Sequence, residues 1–266
     1  MGEGQSDGAA LVERKSVAKA APRAGVRRAL NQKQLVLFYQ PIHELRSRKI
    51  VAAEALLRAR RRTGEIRSGE PIAAGAEDGP DLWRLDSWMV QRAFRDSESW
   101  NGVRLHLNLS PREFEEGSIA KRLEKFGGDL SRLSLEITET ATINKPNLTE
   151  RVLNELRDLG IGIWLDDFGT GHSSISHLYF ALDGLKIPGA FVKDVAKNKR
   201  SQVITKAIID LAHDLDMQVI AEGIETEEQL AFIDDAGCEF IQGFLFSEPM
   251  PLADFEASLA ISSSRQ

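Results

Sequence analysis

Several features that mark particular classes of protein are scarce or missing in this sequence of 266 residues. It has a single cysteine, Cys238, which excludes an intramolecular disulfide and suits a reducing cytoplasm. Its 34 basic residues are outnumbered by 40 acids, which argues against a nucleic-acid polymer as partner because such binding needs an excess of cations. No apolar run approaches the roughly 20 residues of a membrane span, and the start MGEGQSDGAA does not look like a secretory signal. We therefore expect a cytoplasmic protein.

Two common kinds of ligand site also lack their usual signature. The five histidines form no familiar metal-binding spacing, so each is expected to be structural or solvated. They are His43, His106, His172, His177 and His213. No GxGxxG turn follows the first predicted strand, which disfavours a dinucleotide-binding open sheet.

Alternation of short apolar runs with amphipathic segments is the main structural signal. Strands are predicted at 34–40, 49–57, 103–110, 133–138, 161–165, 183–187, 217–221 and 238–242. Between them, helices are expected to begin at Leu82, at Asn147 with Glu150 three residues on, at Ser201, and at Thr226 with Gln229. The length and alternation predict a (β/α)8 TIM-like barrel, with a doubly wound sheet as the alternative.

Polar side chains recur where the predicted strands end. They are Glu54, Asn108, Glu136, Asp166 with Asp167, Lys186, Glu222 and Gln242. Any one of these acids could simply cap the following helix. In a barrel, however, the carboxyl ends of all strands meet at one rim, where barrel enzymes keep their active sites. Carboxylates gathered there would repel one another, and divalent cations such as Mg2+ or Mn2+ would relieve that repulsion. The pattern therefore predicts a site with two metal ions that clamps a phosphate ester.

Eight short motifs in order along the chain resemble the EAL domain family of cyclic di-GMP phosphodiesterases. They are YQP (39–41), AEALLR (53–58), NLS (108–110), EITET (136–140), DDFGTG (166–171), LKI (185–187), AEGIET (221–226) and QGFLF (242–246). The likeness runs from about residue 25 to residue 258. It implies a barrel with one strand antiparallel to the rest, and hydrolysis of cyclic di-GMP to linear pGpG.

The resemblance also implies a role for each matched residue. Glu54, Asn108, Glu136 and Asp166 match metal ligands, and Asp167 matches a ligand of a second metal. Lys186 and Glu222 match the catalytic pair: a lysine that holds the water or the phosphate, and a general base or second-metal ligand. Gln40 and Arg58 match substrate contacts, and Gln242 matches a glutamine near the metal centre. Glu139 and Glu225 match acids that support the DDFG loop.

The sequence departs from the family pattern at several positions. Pro188 stands where the family usually has Asp, His172 replaces a Tyr, and the segment 66–79 is altered. These departures leave a second hypothesis open, namely a catalytically weak domain that acts as a cyclic di-GMP receptor or protein-interaction module. A third, a Schiff-base lysine at Lys186, is disfavoured because neighbouring carboxylates would keep the amine protonated.

Three segments are expected along the chain. Residues 1–22 are predicted to be a flexible tail, 23–260 the phosphodiesterase barrel, and 261–266 a disordered end. Cyclic di-GMP is the implied small-molecule ligand, and family members often form homodimers near the DDFG loop. The sequence names no sensor partner.

Overall fold

A computed structural model describes residues 24–76, 81–110, 112, 119–138, 146–170 and 178–264. Its strands are β1 (Leu35–Glu44), β2 (Ile50–Arg60), β3 (Ile66–Ser68), β4 (Arg104–Leu109), β5 (Leu133–Thr138), β6 (Gly162–Asp166), β7 (Gly184–Ile187), β8 (Gln218–Ala221), β9 (Phe240–Ile241) and β10 (Met250–Pro251). Its helices are α1 (Ala24–Asn31), α2 (Glu70–Ala76), α3 (Leu82–Asp96), α4 (Ile119–Glu124), α5 (Pro146–Asp158), α6 (Gly189–Val192), α7 (Lys199–Asp214), α8 (Glu227–Asp235) and α9 (Leu252–Ser264), with a 3-10 turn at Leu130–Arg132.

The sheet closes on itself. Its order is β1-β2-β4-β5-β6-β7-β8-β9, and β9 pairs with β1 to complete the ring. The pairings from β2 through β4 to β9 are parallel, whereas β1 is antiparallel to both of its ring neighbours. The predicted barrel with one antiparallel strand is therefore confirmed, and closure rules out the open sheet. The short strands β3 and β10 pair with β2 and β1 outside the ring.

The barrel strands have an apolar outer face and an inner face that combines apolar and polar residues. In β4 the buried Leu105, Leu107 and Leu109 belong to the large core shared with the helices. The alternate residues of a strand point the other way, into the barrel. There Ile42, Ala52, Trp164 and Ile220 form a separate cluster toward the amino ends of the parallel strands, with Phe240 packed against it. The inner face at the opposite end is polar, and it contains Glu54, Glu136 and Lys186 of the predicted site.

The helix starts predicted from the sequence agree only in part with those in the structure. Thr226 and Gln229 form the predicted capping box at the start of α8. The prediction that Ser201 opens α7 is wrong, because Asn198 accepts hydrogen bonds from the backbone amides of Arg200 and Ser201 and starts the helix earlier. Helix α5 already begins at Pro146, so Asn147 lies within its first turn instead of capping it.

The carboxyl-terminal helix α9 extends into the segment that the sequence predicted to be disordered. It continues to Ser264, whereas the sequence predicted a disordered end from residue 261. The reason is a tertiary contact, since the hydroxyl of Ser262 accepts a 3.1 Å hydrogen bond from the backbone amide of Ile50 in β2. The predicted tail at 1–22 lies outside the described residues.

The altered segment after the EALLR motif has regular structure. Its first part forms β3 and α2, and residues 77–80 lie outside the described part of the chain. None of the helices in the described ranges is both long enough and apolar enough to cross a membrane.

Candidate active site

Strand register brings the predicted polar residues to one mouth of the barrel. Gln40 of β1 lies directly opposite Glu54 of β2, and Asn108 of β4 is level with Glu136 of β5. Thr138 at the end of β5 is level with Asp166 at the end of β6. Because the parallel strands run the same way, their carboxyl ends form a single polar layer inside the ring.

Lys186 is the centre of this layer. Its side chain is only 1% exposed, and Nζ lies 2.7 Å from Glu222 Oε1 and 2.9 Å from Glu136 Oε2. The same nitrogen lies 3.2 Å from Glu54 Oε2 and 4.0 Å from Asp166 Oδ1. Four acids from four different strands or strand ends therefore converge on one ammonium group, whereas the sequence predicted only that these acids lie at one rim.

Amides complete the shell around Glu54. Asn108 Nδ2 donates to Glu54 Oε1 over 2.8 Å, and Gln242 Nε2 donates to Glu54 Oε2 over 2.7 Å. Gln242 Nε2 also donates to Gln40 Oε1 at 3.0 Å, and Gln40 in turn donates to the backbone carbonyl of Ser247. Both oxygens of Glu54 are thus held, whereas the buried Oε1 of Gln242 has no hydrogen-bond partner among the residues that the structure describes.

The acids of the layer have perturbed pKa values. Burial raises the pKa of Glu222 to about 7, against the opposing charge of Lys186 and with help from Asp166 and Glu54. Burial also raises the pKa of Glu136 well above its ordinary value, and the charge of Glu54 adds to this. The pKa of Asp166 rises for the same reason. One ammonium group is not enough to neutralise this cluster.

Two groups of the layer stay charged. Burial alone would raise the pKa of Glu54, but the charge of Lys186 and the amide hydrogen bonds outweigh it and lower the pKa. Burial would likewise lower the pKa of Lys186, yet Glu136, Glu222 and the other acids raise it well above its ordinary value. A protonated lysine cannot act as a nucleophile, so the structure disfavours Schiff-base chemistry at this position.

Above the polar layer lies an open pocket of about 300 Å³. Its lining includes Gln40, Glu54, Asp166, Lys186, Glu222, Glu225 and Gln242, with Leu56 and Phe244 as apolar neighbours. Phe244 is 59% exposed at its edge. The pocket therefore connects solvent with Glu54, Asp166, Glu222 and Lys186.

Other predicted residues lie outside this arrangement. The guanidinium of Arg58 donates to the backbone carbonyl of Leu57 and sits 6.0 Å from the centre of the Phe38 ring, and Arg58 is not among the residues that line the pocket. Asp167 is exposed, with a left-handed φ of 57°, and its backbone amide donates to Asp166 Oδ1. Glu139 and His172 fall outside the described residues.

The donor types in the layer suit a hard divalent cation. Carboxylates and amide oxygens are the ligands of Mg2+ and Mn2+, the cluster carries excess negative charge, and a buried amide oxygen of Gln242 is unpaired. With the side chains as they stand, no three acids or histidines of the described residues have the spacing of metal ligands. Lys186 occupies the position between them, so its ammonium now supplies the counter-charge.

One residue of the layer was not predicted. His106, two residues before Asn108 on β4, is 2% exposed, and its Nδ1 lies 2.9 Å from Glu136 Oε1. Burial and the charge of Lys186 lower its pKa to about 3, so the ring is neutral at physiological pH. The period-two alternation of β4 placed His106 on the same face as Asn108, and this was the only sequence signal for it.

Comparison with known proteins identifies the family to which this chain belongs. The model of the EAL domain matches residues 23–249. The chain belongs to the EAL domain family. The cyclic di-GMP phosphodiesterase NbdA of Pseudomonas aeruginosa is 37% identical over 244 residues, covering 88% of this chain and 31% of NbdA. The signaling protein YkoW of Bacillus subtilis is 35% identical over 240 residues, covering 87% of this chain and 30% of YkoW.

A solved structure of the EAL domain family has the same fold. The PaMucR phosphodiesterase of Pseudomonas aeruginosa in complex with c-di-GMP superposes with a TM-score of 0.80 and is 29% identical, covering 87% of this chain and 98% of that one. This EAL chain thus spans about three tenths of the length of the curated relatives NbdA and YkoW, but it corresponds to nearly the whole of the solved PaMucR chain.

Proposed function

We propose that this EAL domain hydrolyses one phosphodiester bond of cyclic di-GMP and releases linear pGpG. The observation that carries the proposal is the convergence of Glu54, Glu136, Asp166 and Glu222 on Lys186 beneath an open pocket. Relatives named as cyclic di-GMP phosphodiesterases, and the PaMucR complex with c-di-GMP, supply the substrate class.

Phosphodiesterases of the EAL family generally depend on divalent metal ions. We propose Mg2+ or Mn2+, two ions per site, with Glu54, Asn108, Glu136, Asp166 and Asp167 as their ligands. When bound, such ions would offset the charge of the phosphate and make a water molecule more acidic. The acid-rich layer supports this assignment because its negative charge exceeds what Lys186 alone can balance.

The remaining residues then have roles that follow from their charge. Lys186 is held as an ammonium in reach of the pocket, so it attracts the phosphate and positions the attacking water. Glu222 has a pKa of about 7, which suits a group that accepts a proton from that water near neutral pH. We assign Gln40, Gln242 and Arg58 to substrate binding; Gln40 and Gln242 line the pocket, and the guanidinium of Arg58 donates to the backbone carbonyl of Leu57. Glu225 at the pocket edge and Glu139 are assigned supporting roles.

Incubation of the purified chain with cyclic di-GMP and either metal tests the reaction. We expect pGpG to form with Mg2+ or Mn2+ and not with EDTA. Glu222→Gln should reduce turnover by about 100-fold or more while nucleotide binding is kept, since general base catalysis contributes that order. Asp166→Ala should weaken metal binding as well. Absence of pGpG with both metals, or wild-type turnover in either variant, would refute the proposal.

A second candidate is a receptor that binds cyclic di-GMP without efficient turnover. Two observations favour it: Arg58 is not among the residues that line the pocket, and Pro188 replaces an acid next to the end of the Lys186 strand. Pro188 is extended and leads directly into the four-residue helix α6. Calorimetry with cyclic di-GMP in Ca2+ or EDTA separates the two candidates, since tight binding combined with no pGpG under either activating metal supports the receptor.

A cytoplasmic location and a homodimer stay predictions.

A further inference from the structure

His106 holds one of the two oxygens of Glu136. Its Nδ1 lies 2.9 Å from Glu136 Oε1, while Lys186 Nζ lies 2.9 Å from Oε2 of the same carboxylate. With Glu136 ionised, the imidazole Nδ1–H is the donor of that bond. Each oxygen of this carboxylate is therefore fixed by a separate group from a neighbouring part of the barrel.

The imidazole has little freedom to leave this position. Its ring centroid lies 5.3 Å from that of Trp164, and both rings line a cavity of about 160 Å³ below the polar layer. Trp164 is itself confined, because a Cβ at Gly184 would lie 2.4 Å from its indole. Packing therefore orients the histidine, and the histidine in turn orients the acid above it.

Holding the buried Glu136 carboxylate in one orientation costs free energy, and a hydrogen-bond donor can offset that cost. Glu136 is fully buried, and Glu54 and Asp166 repel its charge. Without a second donor, the carboxylate could rotate about its last bond and turn an oxygen away from the cluster. A hydrogen bond to a group behind a metal ligand commonly fixes the ligand in this way.

We propose that His106 is a positioning residue that holds Glu136 in the orientation required of a divalent-cation ligand. This inference rests on the metal assignment made under the proposed function, but not on the hydrolytic reaction. The histidine makes no contact with the cation in this proposal, and its effect passes entirely through the Glu136 carboxylate.

The test is Mn2+ binding without nucleotide, measured by electron paramagnetic resonance titration of the full chain. We expect His106→Leu, which keeps the bulk and removes the donor, to weaken Mn2+ binding by about 10- to 100-fold. His106→Asn should restore most of the affinity because its amide can donate from near the Nδ1 position. Trp164→Phe, which perturbs the same cavity without removing a bond to an acid, should change the affinity less than about threefold.

Wild-type affinity in folded His106→Leu would overturn the inference, and so would the absence of Mn2+ binding in the wild type. If His106→Leu does not fold, His106→Asn and His106→Gln decide, since the longer glutamine places its amide near Nε2 and should bind Mn2+ more weakly. Equal affinity of these two variants would overturn the inference. Mn2+ binding that depends on His106 in a chain that forms no pGpG would refute the hydrolysis proposal and support this one.

Discussion

Lys186 places one ammonium group among four carboxylates in the interior of the barrel. Burying a charge is costly unless opposite charges and hydrogen bonds compensate for it. Here the compensation is mutual, since the lysine keeps Glu54 ionised and the acids keep the lysine protonated. The same residue thus governs the stability of the polar layer and its attraction for a phosphate.

Replacement of Lys186 by Met tests this mutual dependence. We expect the variant to lose about 3 to 5 kcal/mol of unfolding free energy in EDTA, because uncompensated acids remain buried. Saturating Mn2+ should restore part of that loss, since a cation replaces the missing charge. Denaturant titration with and without Mn2+ measures both effects.

The matched control is Lys206→Met, which removes an exposed i,i+4 pair with Asp210 on α7. Such surface pairs contribute about 0.5 kcal/mol or less, and Mn2+ should not affect the result. A loss at Lys186 as small as that at Lys206 would contradict the account of the polar layer.

At the scale of elements, the segments that directly follow β7 and β8 come into backbone contact with each other. Gly223 follows Glu222 with a left-handed φ of 67°, and a Cβ there would lie 2.9 Å from the Cα of Gly189. Gly189 is the first residue of α6, just after the strand that carries Lys186. The two glycines therefore allow the strand ends that carry the proposed catalytic pair to approach.

Gly223→Ala should disturb both stability and activity. We expect a loss of about 2 to 4 kcal/mol, because backbone strain adds to a contact that requires a shift of main chain. Turnover should fall with it, since that shift moves Glu222. Thermal unfolding and pGpG formation report the two effects.

The substitution Gly102→Ala separates the effect of backbone strain from the effect of the contact with Gly189. Gly102 has a similar φ of 70°, but no atom of the described part of the chain lies within 4 Å of its added Cβ. This variant should lose only about 1 kcal/mol and keep its activity. Equal effects of the two substitutions would show that the close approach to Gly189 is unimportant.

At the scale of the whole molecule, the acids at the barrel mouth oppose the folding of the metal-free chain as the pH rises. Glu222 titrates at about 7 in the folded chain and near 4.5 when unperturbed. Between these values the folded state binds more protons than the unfolded state, so stability falls as pH rises. The stability that protonated Glu222 contributes to the folded state is fully present below pH 4.5 and is lost as the pH rises through about 7. Glu136 and Asp166 act in the same direction.

This pH dependence can be measured against Glu222→Gln in EDTA. We expect the variant to gain up to about 3 kcal/mol relative to the wild type between pH 5 and pH 8, because the titrating group has been removed. Mn2+ should stabilise the wild type more at pH 8 than at pH 5, since protons and the cation compete for the same oxygens. An identical pH slope in the two proteins would contradict the assignment.

The sequence by itself determined the number and order of the barrel strands and the polar residues in or just after them. Periodicity located all eight barrel strands, and residue alternation correctly put Glu136, Asp166 and Glu222 on inner faces. Local chemistry also sufficed at Thr226, whose capping box involves residues close in sequence. These features depend on neighbours along one strand or one helix, which a sequence contains directly.

Only the tertiary structure decided which side chains meet across the barrel. That Lys186 contacts four acids and that His106 lies behind Glu136 both depend on ring closure and on the rotamers that packing permits. The continuation of α9 to Ser264 likewise depends on a contact with Ile50, 212 residues away. Alternation fixes the face of a strand, but distances between side chains on different strands are set only when the whole barrel packs.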